Sequence, residues 1–474
     1  MTDVMEAAEE GGQIASVTHA ASKSVPRPCR TVPPDPPCAV VPAEQHVRRY
    51  VPFFVASLVL TLTLGATLGA VSLARLTGTW GVLPRPWVWA HGYVQLFGFL
   101  ALFVMGFAYH AVPRFVGTAL VWPRVVPLTL WLQTTGVILV AFVFLMPEST
   151  GGARALWTLG GALLLVSAAL FAAAIAGTIR GRSSERQAFE PWILAGALWL
   201  VVASGVACTA AVHDDTTWHN VLWPAALYGF GGSWVFGVGR RLFPSSLGWR
   251  TRWPSLDRPV FWLYQGALGA WCAGAWPLEL WSRPARALGA AGLLVAVPLL
   301  AAITGLVGPR RFPLSPHNRE ARLYARYVGA GWAWLFVGLV AGPGWTLAVL
   351  AGGDPPSITM LDFSRHTVAL GFVTQVIVAV GSRFIPVFCG SRLWSLRAHA
   401  SGFWLLNAAV AIRGVEAALG AGYWPEAWPL LALAGPPAVA ALVIFAANVF
   451  VAIGSRPHHV LARGAPGRLP LAGA

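Results

Sequence analysis

Twelve apolar runs govern the chain: 51–74, 86–112, 125–146, 155–178, 191–212, 217–239, 259–281, 286–308, 327–350, 360–386, 398–421 and 427–453. Each approaches the ~20 helical residues needed to cross the hydrocarbon of a bilayer. Lipid cannot satisfy backbone N–H and C=O groups, so a spanning segment must be a helix or part of a closed barrel. A barrel strand would alternate apolar and polar residues over about ten positions. These runs are continuous instead, and the expected fold is an all-α polytopic membrane protein with about twelve transmembrane helices. Only 11% of residues are charged, against roughly 25% in soluble proteins, which excludes a soluble enzyme. The formal charge of +15 does not mark a nucleic-acid binder, because the basic residues lie between apolar runs and form no patch or stripe. The expected partner is the lipid bilayer.

The basic residues also orient the chain. Of 33, only Arg75, Arg85, Arg154, Arg283, Arg286 and Arg365 fall in segments that would face outward if the N-terminus lies inside, and Arg413 alone falls within a span. The positive-inside rule then places both termini in the cytoplasm. Residues 1–48 read as a disordered cytoplasmic tail, 49–454 as the membrane domain and 455–474 as a second tail. No Cys-x-x-Cys occurs among the five cysteines, which removes the zinc-ribbon, thioredoxin-like and c-type haem readings.

A repeat runs through the spans. Gly98-Phe99, Gly229-Phe230 and Gly371-Phe372 lie on the second, sixth and tenth, and each pair is followed, after thirteen intervening residues, by Pro113, Pro244 or Pro386. Seven residues before each proline stands Gly106, Gly237 or Ala379. The pattern recurs every four spans, so the membrane domain reads as three pseudo-symmetric groups of four helices, at about 50–180, 190–310 and 320–454. Small residues let such helices approach closely, and the prolines are expected to end them.

Each repeated span also carries one histidine near its outer end: His91, His219 and His366. At 1.5 Å per residue they stand roughly 30–38 Å from the inner prolines, close to the outer boundary of the hydrocarbon. Ionisable groups in spans are candidate functional groups, and neutral imidazole is a good ligand for haem iron and for copper. The competing reading is of ordinary interfacial side chains, given the neighbouring Trp87, Trp89 and Trp218. Gln95 lies four residues after His91, and Asp362 four residues before His366, so each is expected on the same helix face as its histidine and as its supporting partner. His213, Asp214 and Asp215 lie in the turn before His219 and form a candidate copper or zinc set, or a solvated turn. Arg413 and Glu416 stand three apart on the eleventh span, either as an internal salt bridge or with Arg413 receiving a haem propionate. His110, nineteen residues after His91, reads as interfacial.

The stretch His91-Gly92-Tyr93-Val94-Gln95-Leu96-Phe97-Gly98-Phe99, continuing to Tyr109-His110-Ala111-Val112-Pro113-Arg114, resembles helix II of the haem-copper oxidase subunit I superfamily and, more closely, the NnrS family of bacterial membrane proteins. His366-Thr367-Val368-Ala369-Leu370-Gly371-Phe372, with Ser382-Arg383, is similar to a late segment of the same family. The resemblance covers about residues 50–453. It implies a bacterial inner-membrane protein that binds haem and, as a second cofactor, copper, and that is linked to nitric oxide metabolism or nitrosative stress. His91 and His366 would match the haem-binding positions, and a diatomic gas would be the ligand. Family members usually read His-x-His before the Gly-Phe, where this chain has Tyr93. The seventh span has no histidine and the tenth has one, so the three-histidine copper centre of a terminal oxidase is absent. Any reaction would be redox chemistry at the metal, with a redox partner the residues do not name. A transporter or channel on the same helical repeat, or a metal-free scaffold or assembly factor, is the alternative.

Overall fold

The computed structural model describes residues 50–455 apart from 79–80, 82–83, 85, 148–150, 184, 276–281, 354–357, 421 and 424. The tails, with Cys29, Cys38 and the His458-His459 pair, lie outside the described residues.

Among the described residues the chain is helical, with no strand. Its membrane helices are α1 Val51–Leu76, α2 Pro86–Val116, α3 Val125–Leu145, α4 Ala153–Arg180, α5 Glu190–His213, α6 Thr216–Leu247, α7 Asp257–Gly274, α8 Ser282–Thr304, α9 Arg319–Leu350, α10 Ile358–Phe388, α11 Leu396–Leu419 and α12 Glu426–Gly454. All but α7 are long and apolar enough to cross a bilayer. α7 has 18 residues and opens on Asp257 and Arg258; residues 276–281 of the expected run 259–281 lie outside the described residues.

The repeated helices form the interior. In α2 and α6 94% of the most apolar window is buried, and in α10 78%, against 33–50% in the other spans long and apolar enough to cross a bilayer. Lipid is as apolar as leucine, so close packing rather than water exclusion must hold such helices together. The three meet at Gly231 of α6, where an added Cβ would lie 3.3 Å from both Leu100 of α2 and Val373 of α10. The glycine of each Gly-Phe pair is a seat for a bulky side chain from the first helix of its own group. Gly229 receives Trp199 of α5 and Gly371 receives Trp334 of α9, each within 2.6 Å of where a Cβ would stand. The two indoles are then held by α7 and α11: Trp199 Nε1 donates to Gln265 Oε1 at 2.7 Å, and Trp334 Nε1 to Asn407 Oδ1 at 2.9 Å.

Around each Gly-Phe pair the helix widens to π geometry, over Val94–Ala101, Ala225–Gly232 and Thr367–Thr374, with the glycine fifth of eight residues every time. A π stretch shifts bonding from i→i+4 to i→i+5 and leaves carbonyls over. Buried side chains take them up: Gln133 Nε2 donates to the Phe97 carbonyl at 3.0 Å, Ser57 Oγ to that of Phe99 at 2.8 Å, and Tyr264 Oη to that of Tyr228 at 2.8 Å.

The prolines do not end their helices. Pro113, Pro244 and Pro386 lie inside the last turn, and the helices run on to Val116, Leu247 and Phe388. The chain turns at left-handed glycines four residues after each proline: Gly117 (φ 65°), Gly248 (φ 69°) and Gly390 (φ 63°). Proline near a helix C-terminus loses few bonds, whereas only glycine adopts that backbone cheaply.

Candidate functional site

α2 and α10 bring His91 and His366 together. Their ring centres are 6.2 Å apart and their planes are within 8° of parallel. Each ring is held at Nδ1 by a backbone carbonyl. His91 Nδ1 lies 2.9 Å from the Gly65 carbonyl of α1, and His366 Nδ1 lies 2.9 Å from the Asp362 carbonyl one turn earlier. With Nδ1–H donating, each ring presents Nε2 as its lone-pair nitrogen.

α1 is shaped for this contact. It passes through its own π stretch over Thr61–Gly65, and Gly65 leaves helical geometry with φ −90° and ψ −98°, which turns its carbonyl toward α2. One turn later Gly69 leaves room for the ring: a Cβ there would stand 2.4 Å from His91 Cε1 and 2.6 Å from Nδ1.

The two expected partners behave differently. Asp362 and His366 lie within one α-helical segment, where residues four apart share a face. The Asp362 carboxylate comes within 3.4 Å of His366 Nδ1, outside the closer carbonyl contact. Gln95 lies beyond the start of the π stretch at Val94, where the four-residue spacing no longer stacks side chains. Its Oε1 instead accepts from Thr61 Oγ1 at 2.9 Å, so Gln95 buttresses α1 beside Gly65 rather than bonding to His91.

Beside His366 sits a buried charge group. Arg413 donates through one guanidinium nitrogen to Asp362 and to Glu416, the latter at 2.8 Å. Arg413 is 7% exposed and Glu416 1%. The internal salt bridge is therefore present, extended by Asp362, and the guanidinium expected at a propionate is already matched by two carboxylates.

His219 takes a separate position. Its Nε2 lies 3.1 Å from Tyr93 Oη, and its ring packs on Trp89 at 4.3 Å and Trp223 at 5.6 Å. The third imidazole thus sits in an aromatic box, and Tyr93, noted only as a departure from the family pattern, is its partner. His213 is exposed and lies beside Trp218, with ring centres 6.1 Å apart. Asp215 caps the turn, accepting from the Thr217 amide at 2.8 Å and its hydroxyl at 2.6 Å. Both bonds hold its carboxyl below the ordinary range. Asp215 is thus engaged in local structure. Among the described residues, no group of three or more His, Cys, Asp or Glu could hold a metal ion.

His110 is enclosed by protein side chains. It is 2% exposed and packs between Tyr50, at 4.6 Å, and Phe388, at 3.9 Å.

No curated protein matches the chain. The family model described as NnrS protein matches residues 50–463, which takes in all twelve membrane helices and both histidines of the parallel pair. On that match the chain is a multi-pass membrane protein of the NnrS family.

Proposed function

We propose that this protein binds haem between α2 and α10, where His91 and His366 would hold it, and acts in nitric oxide metabolism or the response to nitrosative stress. The parallel imidazole pair carries the reading. Two histidines that held one metal ion, each through a ring nitrogen about 2 Å from it, would keep their ring centres roughly 6 Å apart. The observed 6.2 Å is compatible with that spacing. The carbonyls on both Nδ1 atoms support it further, because metal-binding histidines usually donate their other N–H in this way.

Haem held there would supply one-electron chemistry and an iron able to take a diatomic gas. The chain's own residues do the positioning. Gly65 and Asp362 fix the tautomers, Gly69 admits the ring, and Arg413 ties Asp362 to Glu416. The positive-inside distribution supports a pair near the periplasmic face of a bacterial inner membrane, with both termini in the cytoplasm. Copper has no comparable support: the donors expected for it, His213 and His219, are not assembled with other ligands among the described residues, and we assign it no residues.

The test is an absorption spectrum of the purified protein in detergent, with a metal assay. A Soret band that His91→Ala and His366→Ala weaken, and His219→Ala leaves in place, is the expected result. A colourless, metal-free wild-type protein overturns the reading and favours transport or scaffolding.

A further inference from the structure

At the proline end of α10, remote from the imidazole pair, we infer that the protein binds a small oxyanion of the phosphate class. A cavity of about 130 Å³ lies there, walled by Glu320 and Tyr324 of α9, Ser382 and Arg383 of α10, Arg392 of the following turn and His399 of α11. Drug-sized ligands need roughly 300–1,000 Å³, so a nucleotide or porphyrin is too large.

The wall is rich in donors. Arg383 lies over the Tyr324 ring, 5.2 Å from its centre, which fixes the guanidinium at the cavity. Tyr324 is 3% exposed, and its buried Oη lies beside Ser246. His399 is 5% exposed and stacks on Tyr327 at 4.7 Å. Its Nδ1 lies 3.5 Å from Ser382 Oγ. Neither arginine is in an ion pair among the described residues, and neither is Glu320, the one carboxylate on the wall. Two helices also begin at the cavity. Asn318 caps α9 by accepting from the Ala321 amide at 2.9 Å, and Ser395 caps α11 by accepting from that of Ala398 at 3.1 Å. Helix N-termini favour anions, and arginine's planar fork matches the oxygens of phosphate. A cation would meet two guanidinium groups and one carboxylate.

The phosphate can come from solution or from the head group of an anionic lipid, and the reading is independent of haem. The full-length protein, in phosphate-free detergent, is titrated with inorganic phosphate by calorimetry. In parallel it is released from nanodiscs containing phosphatidylglycerol and weighed by native mass spectrometry. We expect one of the two probes to bind the wild type. Loss of either guanidinium, in Arg383→Gln or Arg392→Gln, should weaken it about tenfold, and Glu320→Gln should tighten it. Binding of phosphate identifies a soluble anion; retention of phosphatidylglycerol with phosphate inert identifies a head group. The inference is overturned if neither probe binds the wild type, or if binding is indifferent to all three substitutions. Should the arginine variants fail to fold, Glu320→Gln keeps every donor, and an unchanged affinity there is itself the contrary result.

Discussion

The second group of four helices makes an instructive contrast with the first and third. All three carry the same π stretch on their inner helix, with glycine in the same place. In the first and third groups the outer helix has a π stretch of its own, at Thr61–Gly65 in α1 and Val340–Gly344 in α9, and α5 has none. Gly65 opens beside Gln95, and Gly342 opens beside Ser364, two residues before His366. The inner helices of those two groups present imidazoles to each other. That of the second group turns its imidazole to Tyr93 and two indoles. The shared backbone device builds the scaffold, and the groups around each histidine differ: a carbonyl of α1 for His91, one of its own helix for His366 and an aromatic box for His219.

The largest effect should come from Gly69→Ala, which places a Cβ 2.4 Å from His91 Cε1. The obstacle is the free end of a side chain, so the fold can yield by turning the ring. We expect most of the haem absorption to be lost with little change in melting temperature. A variant with a full Soret band would break the claim that α1 sets the pair. Next, Arg413→Gln leaves the carboxylate of Glu416, 1% exposed, without its cation. Stranding one partner of a buried pair costs about 3–5 kcal/mol; thermal unfolding in detergent should show it, and the further change Glu416→Gln should recover part of the loss.

Tyr93→Phe sharpens the contrast between groups. It removes the partner of a buried imidazole, at about 1–3 kcal/mol, and should leave the haem spectrum as it was, because His219 belongs to the enclosed group. A spectrum that shifted would place His219 in the site after all. The smallest effect is expected from Gly117→Ala, where φ is 65° and a Cβ would stand 2.9 Å from Ser183 Oγ. A left-handed alanine costs about 1 kcal/mol, a fall in melting temperature that Pro113→Ala should not match.

Much of the architecture is legible in the chain itself. The apolar runs give the helices, and the Gly-Phe spacing gives the helices that become the interior. The helix stops were legible but misread: Pro113, Pro244 and Pro386 are each followed at the fourth residue by glycine, and glycine makes the turn. Asp362 beside His366 follows from α-helical spacing, while the same spacing fails for Gln95 because the helix changes type at Val94. Contacts between distant segments leave no local trace. Tyr93 and His219 are 126 positions apart, and Asp362 and Arg413 are 51 apart; only the assembled bundle pairs them.

The widened stretches have one more consequence. A π turn takes in one residue beyond the α count, and a residue is worth about 100° of rotation. Each inner helix is therefore out of phase with itself, its histidine end rotated against its proline end. A wheel drawn along the whole of α2, α6 or α10 with a single period mixes faces that look in different directions. The bulge works as a swivel fixed in the covalent chain, so the two ends of one rod can address different neighbours.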